Sequence, residues 1–241
     1  MYIRLSHIVE AEAPSYPGEP SLVVVPRHQI RHGDDCNTFM LTMFNHFGTH
    51  IDAPKHFHDR GRAIAELPLS RLVYEAPLLV DLPKECGSLI EPDDIEPHEK
   101  KIKAADLLLI RTGMEKLRKS DPERYAAEGP AVSAAAARYM NATFVNLKAI
   151  GFDFISLGSP VNALHAAPAH QALLGMFSEN YVCLIEDMAL ADAPGMLKRV
   201  FCMPLLVRGI DSAPVTVIAE TDASYPAAGY ADERPLCASV P

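Results

Sequence analysis

Between residues 45 and 58 the chain reads NHFGTHIDAPKHFH, placing four of its ten histidines and an aspartate in one short stretch. Histidine is neither a strong helix former nor a strong strand former, so local propensity does not account for this density. His46, His50, Asp52, His56 and His58 all carry even numbers, and an extended backbone would present them on one side. Gly48 and Pro54 argue against a regular helix, so the spacing predicts a strand end that passes into a shaped loop. Imidazole nitrogen and carboxylate oxygen with no thiolate nearby form the donor set of catalytic zinc, manganese or iron sites that keep open positions. A surface histidine patch has the same composition, and further ligands elsewhere in the chain are what separate the two readings.

Two residues downstream are candidates. Glu186 lies inside the apolar run YVCLIEDM, where an ionised carboxylate is costly unless a cation or hydrogen-bond donors compensate it. The alternative for Glu186 is an edge-strand position facing water or pairing with an arginine such as Arg111. His170 precedes QALLGM on an expected helix just before that strand, where an ordinary helix histidine is the competing reading.

These residues need elements to hold them. YIRLSHIV, SLVVVP and NTFMLTMFNHF are short, rich in β-branched and aromatic residues and separated by turn formers, which predicts three strands, the histidine tract starting where the third ends. APLLVDLP and ADLLLIRTG are continuous apolar runs of the kind found in strands buried on both faces. EPDDIEPHEKKIK reads as a loop with a short helix, PAVSAAAARYMNA as a helix led by proline, KAIGFDFISL as a strand, and HAAPAHQALLGMF as another short helix. YVCLIEDMAL is a further strand, and KRVFCMPLLVRGIDSAPVTVIAET reads as two strands joined by a turn at Asp211 to Pro214. The pattern predicts a mixed α/β fold with some antiparallel pairing, in one domain over residues 1–241.

Composition excludes several classes. Hydrophobic residues make up 49% and charged residues 22%, and no apolar run approaches the roughly 20 residues of a spanning helix, so no membrane partner is expected. A formal net charge of −9 without basic clusters argues against nucleic acid. The patch from Glu115 to Ser120 reads as a solvated helix face. Cys36, Cys86, Cys183, Cys202 and Cys237 are odd in number, widely spaced and free of CxxC pairs, which predicts reduced thiols rather than a disulfide framework or zinc ribbon. The start MYIRLSHIVEAEAP lacks a signal-peptide layout, and cytoplasmic residence is the expectation.

HFGTHIDAPKHF resembles the HxGTHxDxPxHF signature of the cyclase family of metal-dependent hydrolases, which includes bacterial kynurenine formamidases and isatin hydrolases. SYPGEP resembles the family's Pro-Gly loop, LLLIRTG its central strand and GIDSAPVTVIAE its closing hairpin, so the resemblance covers nearly the whole chain. It implies an α/β fold of the mixed β/β/α swivelling type and a homodimer or homotetramer. It implies His46, His50 and Asp52 as metal ligands, His170 and Glu186 as distal ligands, and His56 as the residue that moves protons. His165 is an alternative to His170, because GMFSEN lengthens the connection between helix and strand relative to the formamidases. The cofactor implied is Zn2+ or Mn2+, one or two ions per chain, and the substrate a small amide or lactam. The absence of tryptophan departs from formamidases that place one near the Pro-Gly loop.

Chemically, such a site would activate water against a carbon-nitrogen bond, with Asp52 able to bridge two ions and Thr49 and nearby backbone orienting the ligands. Tyr16, Phe47 and Phe57 are the expected aromatic walls of the substrate pocket. A two-His-one-carboxylate iron oxygenase uses the same ligand types, and a non-catalytic metal-binding protein is the third reading.

Overall fold

The apolar runs PLLVD, LLLIR, AIGF and CLIE form four neighbouring parallel strands in the computed structural model, which describes residues 1–222. In chain order the strands are β1 (Tyr2–Arg4), β2 (Val23–His28), β3 (Thr38–Thr42), β4 (His50–Asp52), β5 (Val73–Tyr74), β6 (Pro77–Asp81) and β7 (Leu89–Ile90). They continue with β8 (Leu107–Arg111), β9 (Ala131–Val132), β10 (Ala149–Phe152), β11 (Cys183–Glu186), β12 (Arg199–Pro204) and β13 (Ser212–Glu220). The helices are α1 (Pro92–Ile95), α2 (Glu99–Ile102), α3 (Glu115–Ser120), α4 (Pro122–Glu128), α5 (Ala134–Thr143) and α6 (Ala163–Leu173).

The main sheet has the order β5-β12-β13-β4-β11-β10-β8-β6, and β1 also pairs with β13. Its parallel half is covered on both faces, as uninterrupted apolar strands require. Leu108 and Ile110 of β8, Ile150 and Phe152 of β10 and Leu184 of β11 pack with α5 and α6. Leu107, Leu109, Ala149, Cys183 and Ile185 point the other way and pack with Ile3, Val200, Cys202, Val217 and Ala219 from β1, β12 and β13. The layers are therefore β/β/α, as the resemblance implied. Burying each of these large aliphatic side chains stabilises the fold by about 1.5–3 kcal/mol.

Local signals explain where elements start. Ser133 caps α5 by accepting from the amide of Ala136 at 3.0 Å, so the helix begins after the cap and the proline-led segment before it forms β9. The turn expected at Asp211 to Pro214 falls earlier, because Ser212 already opens β13 and the connection runs over residues 205–211. Helix α3 is not a plainly solvated face. Glu115 accepts from the amides of Leu190 and Ala191, and Arg118 forms a paired contact with the buried Asp187. Cys183 and Cys202 are buried thiols, Cys86 is half-buried and Cys36 exposed, while Cys237 lies outside the described residues. Among the described residues no helix is long and apolar enough to cross a membrane.

Candidate metal centre

Strand β4 is three residues long and sits between β13 and β11, antiparallel to both. His50 is the direct cross-strand partner of Glu186, and Asp52 that of Leu184. Partners opposite each other share a face, and so do residues two apart on one strand. His50, Asp52 and Glu186 therefore meet on the helix side of the sheet. This is why an acidic residue can end an apolar central strand: Glu186 is buried, its Oε1 accepting from the amide of Leu157 at 2.6 Å and from Ser156 Oγ at 3.3 Å. Arg111 is elsewhere, paired with Asp81 at 2.6 Å.

The histidine tract is not extended throughout. Gly48 takes φ +66°, a left-handed turn that favours glycine, and residues 54–56 form a single 3-10 turn that Pro54 opens. The turns, rather than the even numbering, bring His46 and His56 back over β4, and His58 does not line the cavity. The Gly48 carbonyl accepts from Nδ1 of His50 at 2.8 Å, leaving His50 Nε2 free to face the carboxylates. On α6 the carbonyl of Ala166 accepts from Nδ1 of His170 at 2.7 Å, which turns its Nε2 to within 3.7 Å of Glu186 Oε1. Thr49 locks the turn from behind, its hydroxyl donating to the carbonyl of Asp187 and accepting from the amide of His7.

Six titratable side chains converge. Asp52 Oδ1 is 3.1 Å from His46 Nδ1 and 3.6 Å from His50 Nε2, Asp52 Oδ2 is 3.8 Å from His56 Nε2, and Glu186 Oε2 is 3.3 Å from His50 Nε2. Two sets of donor atoms are close enough to hold an ion, His46 with Asp52 and His56, and His50 with Asp52 and Glu186; Asp52 belongs to both. Both oxygens of Asp52 and Nε2 of His50 are buried without an aligned hydrogen bond. A buried polar atom left without a partner is strongly unfavourable, so these orphaned atoms fit a divalent cation as their missing partner.

Charge balance supports that fit. Burial opposes protonation of His46, but its hydrogen bond to Asp211 and the charge of the adjacent Asp52 outweigh this and hold its pKa up at about 10. Burial likewise opposes charge on His50 and His170, and Glu186 overrides it, so both are raised. Burial alone would push Glu186 up, yet the facing imidazoles of His170 and His50 hold it well below the usual carboxylate range. Without a cation, protons on the histidines neutralise the carboxylates; with one, the cation takes their place.

Asp211 completes the arrangement. One of its oxygens is 3.0 Å from His46 Nε2 and 2.8 Å from His56 Nδ1, and the other accepts from Asn45 Nδ2 at 2.9 Å. Sequence reading placed Asp211 only at a turn. The one signal for it was a lone carboxylate at the start of the closing strand. Of the aromatic residues expected around a substrate, Tyr16 and Phe57 do line the cavity, and Phe57 stacks on His170 with ring centroids 4.4 Å apart. Phe47 does not. It is wholly buried against Ala13 and Leu22, because the Gly48 turn points it inward, and Phe44 lines the cavity instead. His165 faces the amide of Ala134 at 3.3 Å and takes no part, whereas His170 does. The cavity holds about 260 Å³, with Tyr16, Phe44, Phe57 and Ile155 as walls and His46, His50, His56, His170 and Glu186 at its polar end.

The β/β/α fold thus gathers histidine and carboxylate donors able to hold a divalent cation at one end of its strands. The chain belongs to the Cyclase family, whose family model matches residues 3–159. It is 27% identical over 215 residues to the kynurenine formamidase of Geobacillus thermodenitrificans, covering 89% of this chain and 94% of that protein. Its fold matches a predicted metal-dependent hydrolase from Bacillus stearothermophilus with a TM-score of 0.71 at 26% identity, over 91% of this chain and 97% of that one. It also matches isatin hydrolase A from Labrenzia aggregata with a TM-score of 0.76, over 91% of this chain and 93% of that one; at 20% identity this likeness concerns the fold.

Proposed function

We propose that this chain hydrolyses a carbon-nitrogen bond in a small amide or lactam, using Zn2+ or Mn2+ held by His46, His50, Asp52, His170 and Glu186. The observation that carries the reading is the buried donor set of His50, Asp52 and Glu186 at the polar end of an aromatic-walled cavity, with His46 3.1 Å from Asp52 and His170 3.7 Å from Glu186. A relative named as a kynurenine formamidase supports a carbon-nitrogen target. The donors exceed the two histidines and one carboxylate of the iron oxygenases, which favours hydrolysis over oxygen chemistry.

A divalent cation held there would lower the pKa of a coordinated water toward about 7 and polarise a carbonyl oxygen. The chain's own residues supply the rest. Phe44, Phe57 and Tyr16 receive the flat apolar part of the substrate and exclude water from it. His56, its Nδ1 anchored on Asp211, presents Nε2 to the cavity. There it takes the proton of the attacking water and returns it to the departing nitrogen. Asp211 holds His46 and His56 together, so the ligand and the proton carrier keep a fixed separation.

Metal analysis of chelator-free protein, wild type beside His50→Ala, tests the first half of the proposal. Retention of one or two Zn2+ or Mn2+ ions by wild type alone supports it. The second half is tested by following hydrolysis of an N-aryl formamide and a benzo-fused lactam. Metal retained with neither compound turned over would move the substrate class elsewhere, while no metal would remove the mechanism itself.

A further inference from the structure

Asp187 follows Glu186 directly, and among the described residues it is the one residue other than glycine with a positive φ, at +51°. Aspartate enters this left-handed region more readily than most residues, but at a cost that surrounding contacts must offset. The packing shows what the turn achieves. On an uninterrupted strand Met188 would share a face with Glu186. Instead Met188 packs with Ile185 in the layer of β1, β12 and β13, while Glu186 stays opposite His50 on the helix side. The break in alternation lets β11 present a carboxylate to the cavity and then return to apolar surroundings.

Every polar group of Asp187 is tied. Its amide donates to the carbonyl of Phe154 at 2.9 Å, just beyond β10. Its carbonyl accepts from the hydroxyl of Thr49, the residue before His50. Oδ1 accepts from the Tyr125 hydroxyl of α4 at 2.6 Å and from Arg118 Nε of α3 at 2.7 Å, and Oδ2 accepts from Arg118 Nη2 at 2.8 Å. Asp187 and Tyr125 are buried, and a guanidinium paired with both oxygens fixes the plane of the carboxylate as well as its position. None of these three side chains lines the cavity.

Given the metal site of the proposed function, we propose that Asp187 is a positioning residue for it. Arg118 and Tyr125 clamp its carboxylate and so hold the left-handed turn that aims Glu186. Its carbonyl, through Thr49, holds the turn that leads into His50. The two donor-bearing segments, β4 and the end of β11, are thereby fixed to each other by one residue outside the cavity.

Two variants separate positioning from general support. Asp187→Gly accepts the positive φ without strain but loses the clamp. Asp187→Asn tolerates the same φ and keeps an oxygen for Tyr125 and Arg118. Zn2+ affinity is measured on metal-stripped protein by competition with a chromogenic chelator, and the visible spectrum of the Co2+-loaded form reports donor geometry. Asp187→Gly should bind Zn2+ about 10–100-fold more weakly than wild type and shift the Co2+ bands, while Asp187→Asn stays close to wild type in both. Wild-type affinity and bands in Asp187→Gly, or equal losses in the two variants, overturn the proposal and leave the metal site standing. A wild type that binds neither ion overturns the metal site and the proposal together. If Asp187→Gly fails to fold, Tyr125→Phe decides, because it deletes one hydrogen bond of the clamp and little bulk. Weaker Zn2+ binding with shifted Co2+ bands is then expected, and wild-type values of both overturn the proposal.

Discussion

Asp211 Oδ2 lies 2.8 Å from Nδ1 of His56, a residue 155 positions earlier in the chain. The same oxygen reaches Nε2 of His46, so a single carboxylate sets the orientation of two imidazoles. Hydrogen bonds from both hold Asp211 far below the usual carboxylate range, which keeps it an acceptor at any working pH. Carboxylates that orient ligating histidines are worth about 10–100-fold in metal affinity or activity. Asp211→Asn is therefore expected to lower kcat by about that factor. Unchanged kcat in steady-state assays of Asp211→Asn would mean that His56 needs no such anchor.

His56→Ala separates two roles for this side chain. As a proton carrier its loss should reduce turnover by about 10²–10⁴-fold while metal content stays as in wild type. His56 also falls within ion-holding distance of His46 and Asp52. Loss of one ion from the purified variant would make it a ligand, and the proton transfer would then belong to another group.

Metal uptake should release protons. The pKa of His46 is held at about 10 in the cation-free site, so at neutral pH this histidine carries a proton that a ligating nitrogen must lose. Falling pH adds protons to the same nitrogens, so apparent affinity for Zn2+ or Mn2+ should rise with pH. Calorimetric titration of metal into chelator-stripped protein, in buffers of different ionisation enthalpy, reads the release directly. Binding heats indifferent to the buffer would show that the histidines are already neutral.

How far sequence reached follows from which interactions are local. His46, His50, Asp52 and His56 lie within one short stretch, so their types and spacing were enough to suggest a metal site. Glu186 stood out because a carboxylate in an apolar strand needs a partner, although its pairing with His50 is a matter of strand register. Asp211 gave little signal, because its value comes only from β13 lying beside β4. Phe47 misled for a similar reason: the Gly48 turn, invisible to an alternation pattern, exchanged its expected place with that of Phe44. The parallel strands were legible from their apolar runs, whereas the order of the sheet is set by contacts far apart in sequence.

Stability should fall in mild acid through His7. Its ring is half-buried, with a solvent-shielded Nε2 3.9 Å from Glu115 and 4.0 Å from Asp187 and no aligned hydrogen bond. Burial, opposed by Asp187 and assisted by Arg118 and Arg4, lowers its pKa from 6.5 to about 4. The folded chain thus keeps His7 neutral while the unfolded chain protonates it. Where the unfolded state binds more protons, stability rises with pH. The contribution is therefore complete above about pH 6.5 and is lost as pH falls from there toward about 4, amounting to about 2 kcal/mol by about pH 5. Carboxylates and metal ligands titrate as well, so urea unfolding of wild type is compared with His7→Gln, which cannot protonate. The difference in unfolding free energy between the two should shrink or reverse in favour of the variant by that amount from about pH 7.5 to about pH 5. Parallel curves across this interval would mean that His7 takes up its proton in the folded protein, with Asp187 and Glu115 prevailing over burial.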